Sequence, residues 1–254
     1  MTPAMLQAHN LSLSFGGVQA IDQLSFDVCA GEVLAIIGPN GAGKTSVLNV
    51  VTRVFNPSSG SILFEGAELT HLKRHEIASL GIARTFQNIE LFEAATVMDN
   101  LLLGRHRFGH GNWWQQLLRT PAVTRLEEAS RAAVEEVIEF LDLSPWRNSV
   151  VSGLPYGVRK VVELGRALAT SPKLLFLDEP ASGLNPEETR KLAFWIDDIR
   201  ADLGITVVMV EHDMSLVGAV ADRVICMAQG QLLATGTASQ VQSNPLVVSA
   251  YLGA

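Results

Sequence analysis

The chain alternates between two hydrophobic periods. "VLAII" (33–37) is an unbroken apolar run with a glycine on its far side. That is the pattern of a strand buried on both faces. "LLFL" (174–177), "TVVMV" (206–210) and "VICMA" (224–228) repeat the texture, and "QLLATG" (231–236) adds another strand. Helical stretches separate the first three of these, so a parallel sheet covered on both faces is expected. After Lys44, "TSVLNVVTRVF" carries apolar residues at helical spacing and predicts a helix ending near Pro57. Earlier, "LSLSF", "LSFDV" and "SILFEG" mix alternation with glycines at Gly16, Gly17, Gly31 and Gly60, which predicts strands joined at glycine turns.

From about Asn88 to Pro155 the period is helical. "TVMDNLLLGRHRF" and "TRLEEASRAAVEEVIEFLDL" predict helices, the second with Glu and Arg on one face and Ala, Val, Ile and Leu on the other. "GHGNWWQQLLRTP" between them reads as a loop with a short helix. Its adjacent Trp113 and Trp114 suit packing within the lobe, or contact with a membrane subunit or lipid headgroups. "NPLVVSAYLGA" predicts a short terminal helix.

Composition narrows the classes. Of 254 residues, 48% are hydrophobic and 18% charged, which describes a well-cored globular chain. A net charge of −7 argues against a broad nucleic-acid-binding face. Cys29 and Cys226 are far apart and form no CxxC, so reduced cysteines are expected rather than a disulfide or a metal site. The opening "MTPAMLQAHN" has no basic cluster followed by an apolar run, so no signal peptide is expected. No apolar stretch is long enough to span a bilayer, so work at a membrane needs spans from another chain.

Two stretches carry chemistry. "GPNGAGKT" (38–45) matches GxxxxGK[ST] between a predicted buried strand and a predicted helix. Gly38, Pro39, Asn40, Gly41, Ala42 and Gly43 would turn backbone N–H groups toward phosphate oxygens, beside the positive end of the helix. Lys44 would meet the β- and γ-phosphates, and the Thr45 hydroxyl suits Mg²⁺. The second stretch, "LLFLDEP", runs four apolar residues into Asp178 and Glu179, and Pro180 stops the strand. Alone, such an acid pair is as readily a helix cap or a salt-bridge partner. Beside a phosphate loop, Asp178 suits the metal side and Glu179 suits the attacking water.

In this order the motifs resemble the ATPase subunit of ABC transporters along the whole chain. "GPNGAGKTS", through Ser46, resembles Walker A, and "LLFLDEP" resembles Walker B with its catalytic glutamate. "RTFQ" ends in Gln87, which resembles the Q-loop glutamine, a hinge and metal-side residue. "SGLNP" (182–186) resembles the D-loop, and "VMVEHDM" carries His212 at the switch position. Phe15 matches the aromatic that stacks on adenine.

Leu154, Pro155, Tyr156 and Gly157 occupy the signature place, where the family reads Leu-Ser-Gly-Gly-Gln. Proline is expected at the first helical position there. The insert around "NWWQQLLRTP", "EHDM" and "NPLVVSAYLG" are together similar to branched-chain amino acid importers, in the longer of their two ATPase types.

The resemblance implies an α/β fold: a P-loop NTPase core with a mostly parallel sheet, an N-terminal antiparallel β subdomain and an inserted helical lobe. One ABC ATPase domain would span 1–254, with core 1–87 and 156–235, lobe 88–155 and tail 236–254. It implies ATP and Mg²⁺, and a second ATPase subunit whose ATP meets Leu154 to Gly157 across a dimer. It also implies membrane permeases and a periplasmic binding protein, at the cytoplasmic face of the inner membrane. The alternative is a soluble relative acting on nucleic acid or ribosomes. That class carries tandem domains, coiled coils or zinc modules, and none is seen here.

Lys44→Ala removes a charged contact worth ~1.5–3 kcal/mol. ATP affinity should fall roughly 10- to 100-fold, read by calorimetry.

Overall fold

The computed structural model describes residues 4–108 and 121–252; Trp113 and Trp114 lie outside the described residues. The chain forms two compact units, Met1–Gln87 with Lys173–Ala254, and Asn88–Pro172.

The first unit holds two sheets. β1 (Ala4–Phe15), β2 (Val18–Cys29), β4 (Ser59–Phe64) and β5 (Ala67–Glu68) form an antiparallel sheet in the order β2-β1-β4-β5. Gly16 and Gly17 make the β1–β2 turn, as their spacing predicts. Gly60 does not make a turn. It lies inside β4 with φ 93°, where a Cβ would sit 2.5 Å from the carbonyl oxygens of His9 and Asn10. The register shifts between His9 and Ser12, so this glycine marks a bulge.

The second sheet runs β10-β9-β3-β8-β7-β6. β3 (Val33–Ile37), β6 (Ile82–Arg84), β7 (Leu174–Asp178), β8 (Thr206–Val210) and β9 (Arg223–Ala228) are parallel, and β10 (Gln231–Gly236) is antiparallel at one edge. Every residue of β3, β7 and β8 is buried. That is why these strands read as continuous apolar runs rather than alternations. α1 (Lys44–Val51) lies between the sheets. Its Val47, Leu48, Val50 and Val51 share a core with Leu34, Ile36, Phe176 and Val208 on one side and Leu6, Ile62 and Phe64 on the other. α1 ends at Val51, short of Pro57, because Arg53 takes φ 57° and turns the chain.

α2 (Arg74–Ser79) precedes β6, and α6 (Pro186–Ala201) and α7 (Met214–Val220) follow β7 and β8. α8 (Ala238–Gln242) and α9 (Pro245–Leu252) close the chain. "NP" starts α6 by plain capping chemistry: Asn185 accepts from the N–H of Glu187 and Glu188, Pro186 sits in the first turn, and Glu188 returns a bond to Asn185 N–H.

The second unit is helical: α3 (Val97–Gly104) with a 3₁₀ turn Arg105–Phe108, α4 (Pro121–Phe140) and α5 (Tyr156–Leu168). It runs past the Pro155 boundary read from the sequence, because α5 packs with α3 and α4. The contact is backbone-close. A Cβ on Gly104 would meet Arg166 O at 2.5 Å, and Gly165 faces Leu101 and Leu141. Buried Asn100 ties the start of α3 to the preceding loop through Phe92 N, Phe92 O and Thr96 O. Pro155 stands at the N-cap of α5 with φ −54° and ψ 150°, one residue before the expected first helical position.

Phe64 is 1% exposed in the shared core. Phe64→Ala should cost about 3–5 kcal/mol, read as a lower urea midpoint. Phe194→Ala, at a residue 72% exposed, should stay within about 0.5 kcal/mol.

Candidate functional site

The phosphate-loop motif turns between β3 and α1. Gly38 (φ 152°) passes so near β9 that a Cβ would lie 2.2 Å from Met227 O, and Gly43 (φ 96°) would place one 2.2 Å from Ala20 O on β2. Only glycine fits either place without moving backbone. The loop is pinned as well as squeezed: Gly230 N–H donates to Ala42 O (3.1 Å), and Asp22 N–H donates to Gly230 O (2.9 Å). α1 carries no acid in its first turn and no side-chain cap, so no side chain would compete with an anion for its N-terminal N–H groups. Thr45 and Ser46 are the second and third residues of α1, half-buried beside the loop. Lys44 is 8% exposed and folds back, its Nζ donating to Gly38 O (2.8 Å) and Pro39 O (3.0 Å). Burial pushes its pKa down, and the negative charges of Glu179 and Asp178 act the other way.

The two adjacent acids have different surroundings because the backbone turns between them. Asp178 ends β7, and Glu179 takes φ 48°, a left-handed conformation uncommon for a residue with a side chain. Glu179 N–H donates to Val210 O at 2.9 Å, which holds the turn against β8. Asp178 is 1% exposed, and its Oδ2 accepts from Arg84 at 2.7 Å. The Glu179 carboxylate goes elsewhere: its Oε2 accepts from Gln87 Nε2 at 3.1 Å, and His212 Nδ1 lies 4.0 Å away. Gln87, Glu179 and His212 are therefore brought together from the ends of three different strands.

Two supporting residues escaped the sequence reading. Glu211, fully buried between β8 and His212, accepts from Ala181 N–H (2.8 Å) with Oε1 and from His212 N–H (2.9 Å) and Asp213 N–H (3.1 Å) with Oε2. One carboxylate thus fixes the loop after Glu179 and the loop that carries His212. Asp213 then caps α7 through Ser215 and Leu216, and these bonds, the Ser215 hydroxyl foremost, lower its pKa. Arg84 is the second. Both lie inside stretches already quoted, "VMVEHDM" and "RTFQ", but an acid before a histidine and an arginine before "TFQ" look like solvated charge until the sheet is assembled.

Phe15 closes β1 with 45% of its surface exposed, and its ring meets Phe55 edge-on, centroids 5.0 Å apart at 75°. Phe55, itself partly exposed, was also not foreseen. Leu154 to Gly157 belong to the helical unit: Leu154 and Gly157 are buried there, Pro155 and Tyr156 exposed.

The fit to magnesium rests on one atom. Asp178 Oδ1 is buried with no hydrogen-bond partner. Such an acceptor suits a cation or a water held by one. Among the described residues no group of three or more His, Cys, Asp and Glu side chains could hold a metal ion. A metal here would lean on Thr45, Asp178 and phosphate oxygens, the sparse protein ligation that Mg²⁺ accepts.

Parallel-sheet core, phosphate loop, strand-end acids and histidine define a nucleotide-hydrolysing cassette. The ABC transporter family profile matches residues 21–182, and that of the branched-chain amino acid ATP-binding cassette transporter matches residues 231–254. The chain is 39% identical over 253 residues to the high-affinity branched-chain amino acid transport ATP-binding protein BraF of Pseudomonas aeruginosa, covering 100% of this chain and 99% of that one. It is 38% identical to the corresponding protein LivG of Escherichia coli, with the same coverage. A solved structure described as the ADP conformation of an ATP-binding cassette of an ABC transporter superposes with TM-score 0.87 at 33% identity, covering 100% of each chain. A nucleotide-free cassette also gives 0.87, at 32% identity, covering 99% of this chain and 100% of that one. The chain belongs to the ABC transporter family, as an ATP-binding and ATP-hydrolysing subunit.

Glu211→Gln leaves one of the two N–H clusters without an acceptor. Stability should fall by about 1.5–3 kcal/mol. The kcat for ATP should fall roughly 10-fold with little change in KM, read by steady-state kinetics.

Proposed function

We propose that this chain powers an importer of branched-chain amino acids or related small amides and acids. The observation that carries the reading is the cluster Gln87–Glu179–His212 beside the phosphate loop, with a carboxylate held between an amide and an imidazole. The solute class is supported by the C-terminal match at residues 231–254 and by the names of the full-length relatives.

The residues divide the work by chemistry. Gly38 to Gly43 and the start of α1 offer N–H groups to phosphate oxygens, and Ser46 extends that set. Lys44 gives up its bonds to Gly38 O and Pro39 O and turns its ammonium toward the β- and γ-phosphates. Phe15 offers a ring face to adenine. Thr45, Asp178 and Gln87 would hold magnesium, which when bound neutralises phosphate charge. Glu179 takes the proton of the attacking water or aligns that water. His212 donates to the γ-phosphate, and Gln87 links the nucleotide to the helical unit that begins at Asn88.

The signature Leu154-Pro155-Tyr156-Gly157 would serve the ATP of a second ATPase subunit. The N–H groups of Tyr156 and Gly157 remain for that purpose, and the serine hydroxyl of the usual signature is missing. No helix among the described residues is long and apolar enough to cross a membrane. Membrane permeases would supply the path and a periplasmic binding protein the solute, with this chain at the cytoplasmic face.

Glu179→Gln keeps shape and removes the base. ATP affinity should stay within about 3-fold while kcat falls roughly 100-fold or more. Cells deleted for this subunit should lose uptake of radiolabelled leucine, isoleucine or valine and regain it from the wild-type chain, not from Glu179→Gln. Uptake of all three unchanged on deletion would refute the solute class.

A further inference from the structure

Arg84 opens the "RTFQ" stretch, has a buried side chain, and is given no contact with nucleotide in the proposed division of work. It ends β6, pairs in register with Phe176 of β7, and Thr85 N–H continues the ladder to Phe176 O at 2.9 Å. Side chains two apart on a strand share a face. Asp178, two residues past Phe176, therefore stands on the face to which Arg84 points. The guanidinium fills the space between that face and α1. One terminal nitrogen donates to Asp178 Oδ2 (2.7 Å), and the other donates to Asn49 Oδ1 (2.7 Å) and Thr52 Oγ1 (3.2 Å). The Phe86 ring lies 5.2 Å from its central carbon. The Arg84 side chain is 6% exposed and the Asp178 side chain 1%.

This geometry treats the two carboxylate oxygens unequally. Oδ2 is committed to a guanidinium that is itself anchored to the helix carrying the phosphate loop. Oδ1 is buried and has no protein donor. A carboxylate free to turn about its last torsion would exchange the two oxygens; this one is locked. Arginine suits the task and lysine does not, because a rigid fork spans two anchors at a fixed angle while an ammonium is a single point.

We propose that Arg84 is a positioning residue that selects Oδ1 of Asp178 as the metal-facing oxygen and sets its distance from the phosphate loop through Asn49 and Thr52. This rests on the reading of Asp178 as the magnesium-side acid. Groups that orient a metal ligand from behind commonly govern metal affinity by 10- to 100-fold. The anchor also joins the acid to α1, so the loop at one end of α1 and the acid at the end of β7 form one rigid frame.

The test uses the full-length chain and calorimetric titration of ATP over a series of Mg²⁺ concentrations and in EDTA. Arg84→Met and Arg84→Lys should each raise the Mg²⁺ concentration that half-restores ATP affinity by about 10-fold or more. ATP affinity in EDTA should stay within twofold. Asn49→Ala, which removes one anchor and leaves the ion pair, should shift the Mg²⁺ requirement in the same direction by less. A general loss of structure would weaken ATP equally with and without Mg²⁺, and that result overturns the proposal. So does a shift in Arg84→Met alone, which would make Arg84 a mere counter-charge. If Arg84→Met does not fold, Arg84→Lys and Asn49→Ala decide. Asp178→Asn is the separate control: an unchanged Mg²⁺ requirement there refutes the magnesium-side reading itself, whatever the arginine variants do.

Discussion

One buried carboxylate organises the site. Glu211 has no contact with solvent, and its oxygens take three backbone N–H groups from two loops. A charge in that position is tolerable only because those donors replace its water. The consequence runs outward. The loop after β7 cannot drift from the loop after β8, so Glu179 and His212 keep their separation although each lies on irregular backbone. The separation of Glu179 and His212 is thus set from behind, by Glu211, rather than by the two side chains themselves.

The phosphate loop obeys a different constraint, steric rather than electrostatic. It runs between the β2 backbone at Ala20 and the β9 backbone at Met227, and leaves no space for side chains at Gly38 and Gly43. The cradle is therefore shaped by its neighbours as much as by its own sequence. The N-terminal sheet contributes twice. Ala20 walls the loop, and Asp22 fastens the Gly230 turn that in turn holds Ala42.

The sequence disclosed what depends on short-range pattern. Buried parallel strands announce themselves as apolar runs, and the phosphate loop is a contiguous motif whose glycines have a steric reason to be there. Asp178 and Glu179 stand out because they end an apolar run, whereas Gln87 and His212 are singled out only by the resemblance of "RTFQ" and "VMVEHDM" to family motifs. What stayed hidden depends on partners far away in the chain. Arg84 and Asp178 are 94 positions apart, and Glu211 and Ala181 are 30 apart. Neither charge looks unusual locally. β6 has only three residues, too few for any period to show. Gly60 read as a turn because a glycine in a bulge and a glycine in a hairpin leave the same trace. The compact helical unit runs beyond Pro155 because α5, which begins at the signature place, packs with α3 and α4 before it in the chain.

The helical unit has a topological meaning. β6 and β7 are adjacent parallel strands, and the chain between them, residues 85–173, contains the whole of Asn88–Pro172. Parallel neighbours always require a crossover, usually one helix. Here the crossover has grown into a body with its own core. Closing a longer loop costs little, about 0.6 kcal/mol for each doubling of length, so the sheet is nearly indifferent to what the crossover contains. Its register is set by Ile82 opposite Leu174 and Arg84 opposite Phe176 regardless. The sheet can thus keep its strand order and register while the length and content of the crossover vary, a modularity that follows from strand order alone.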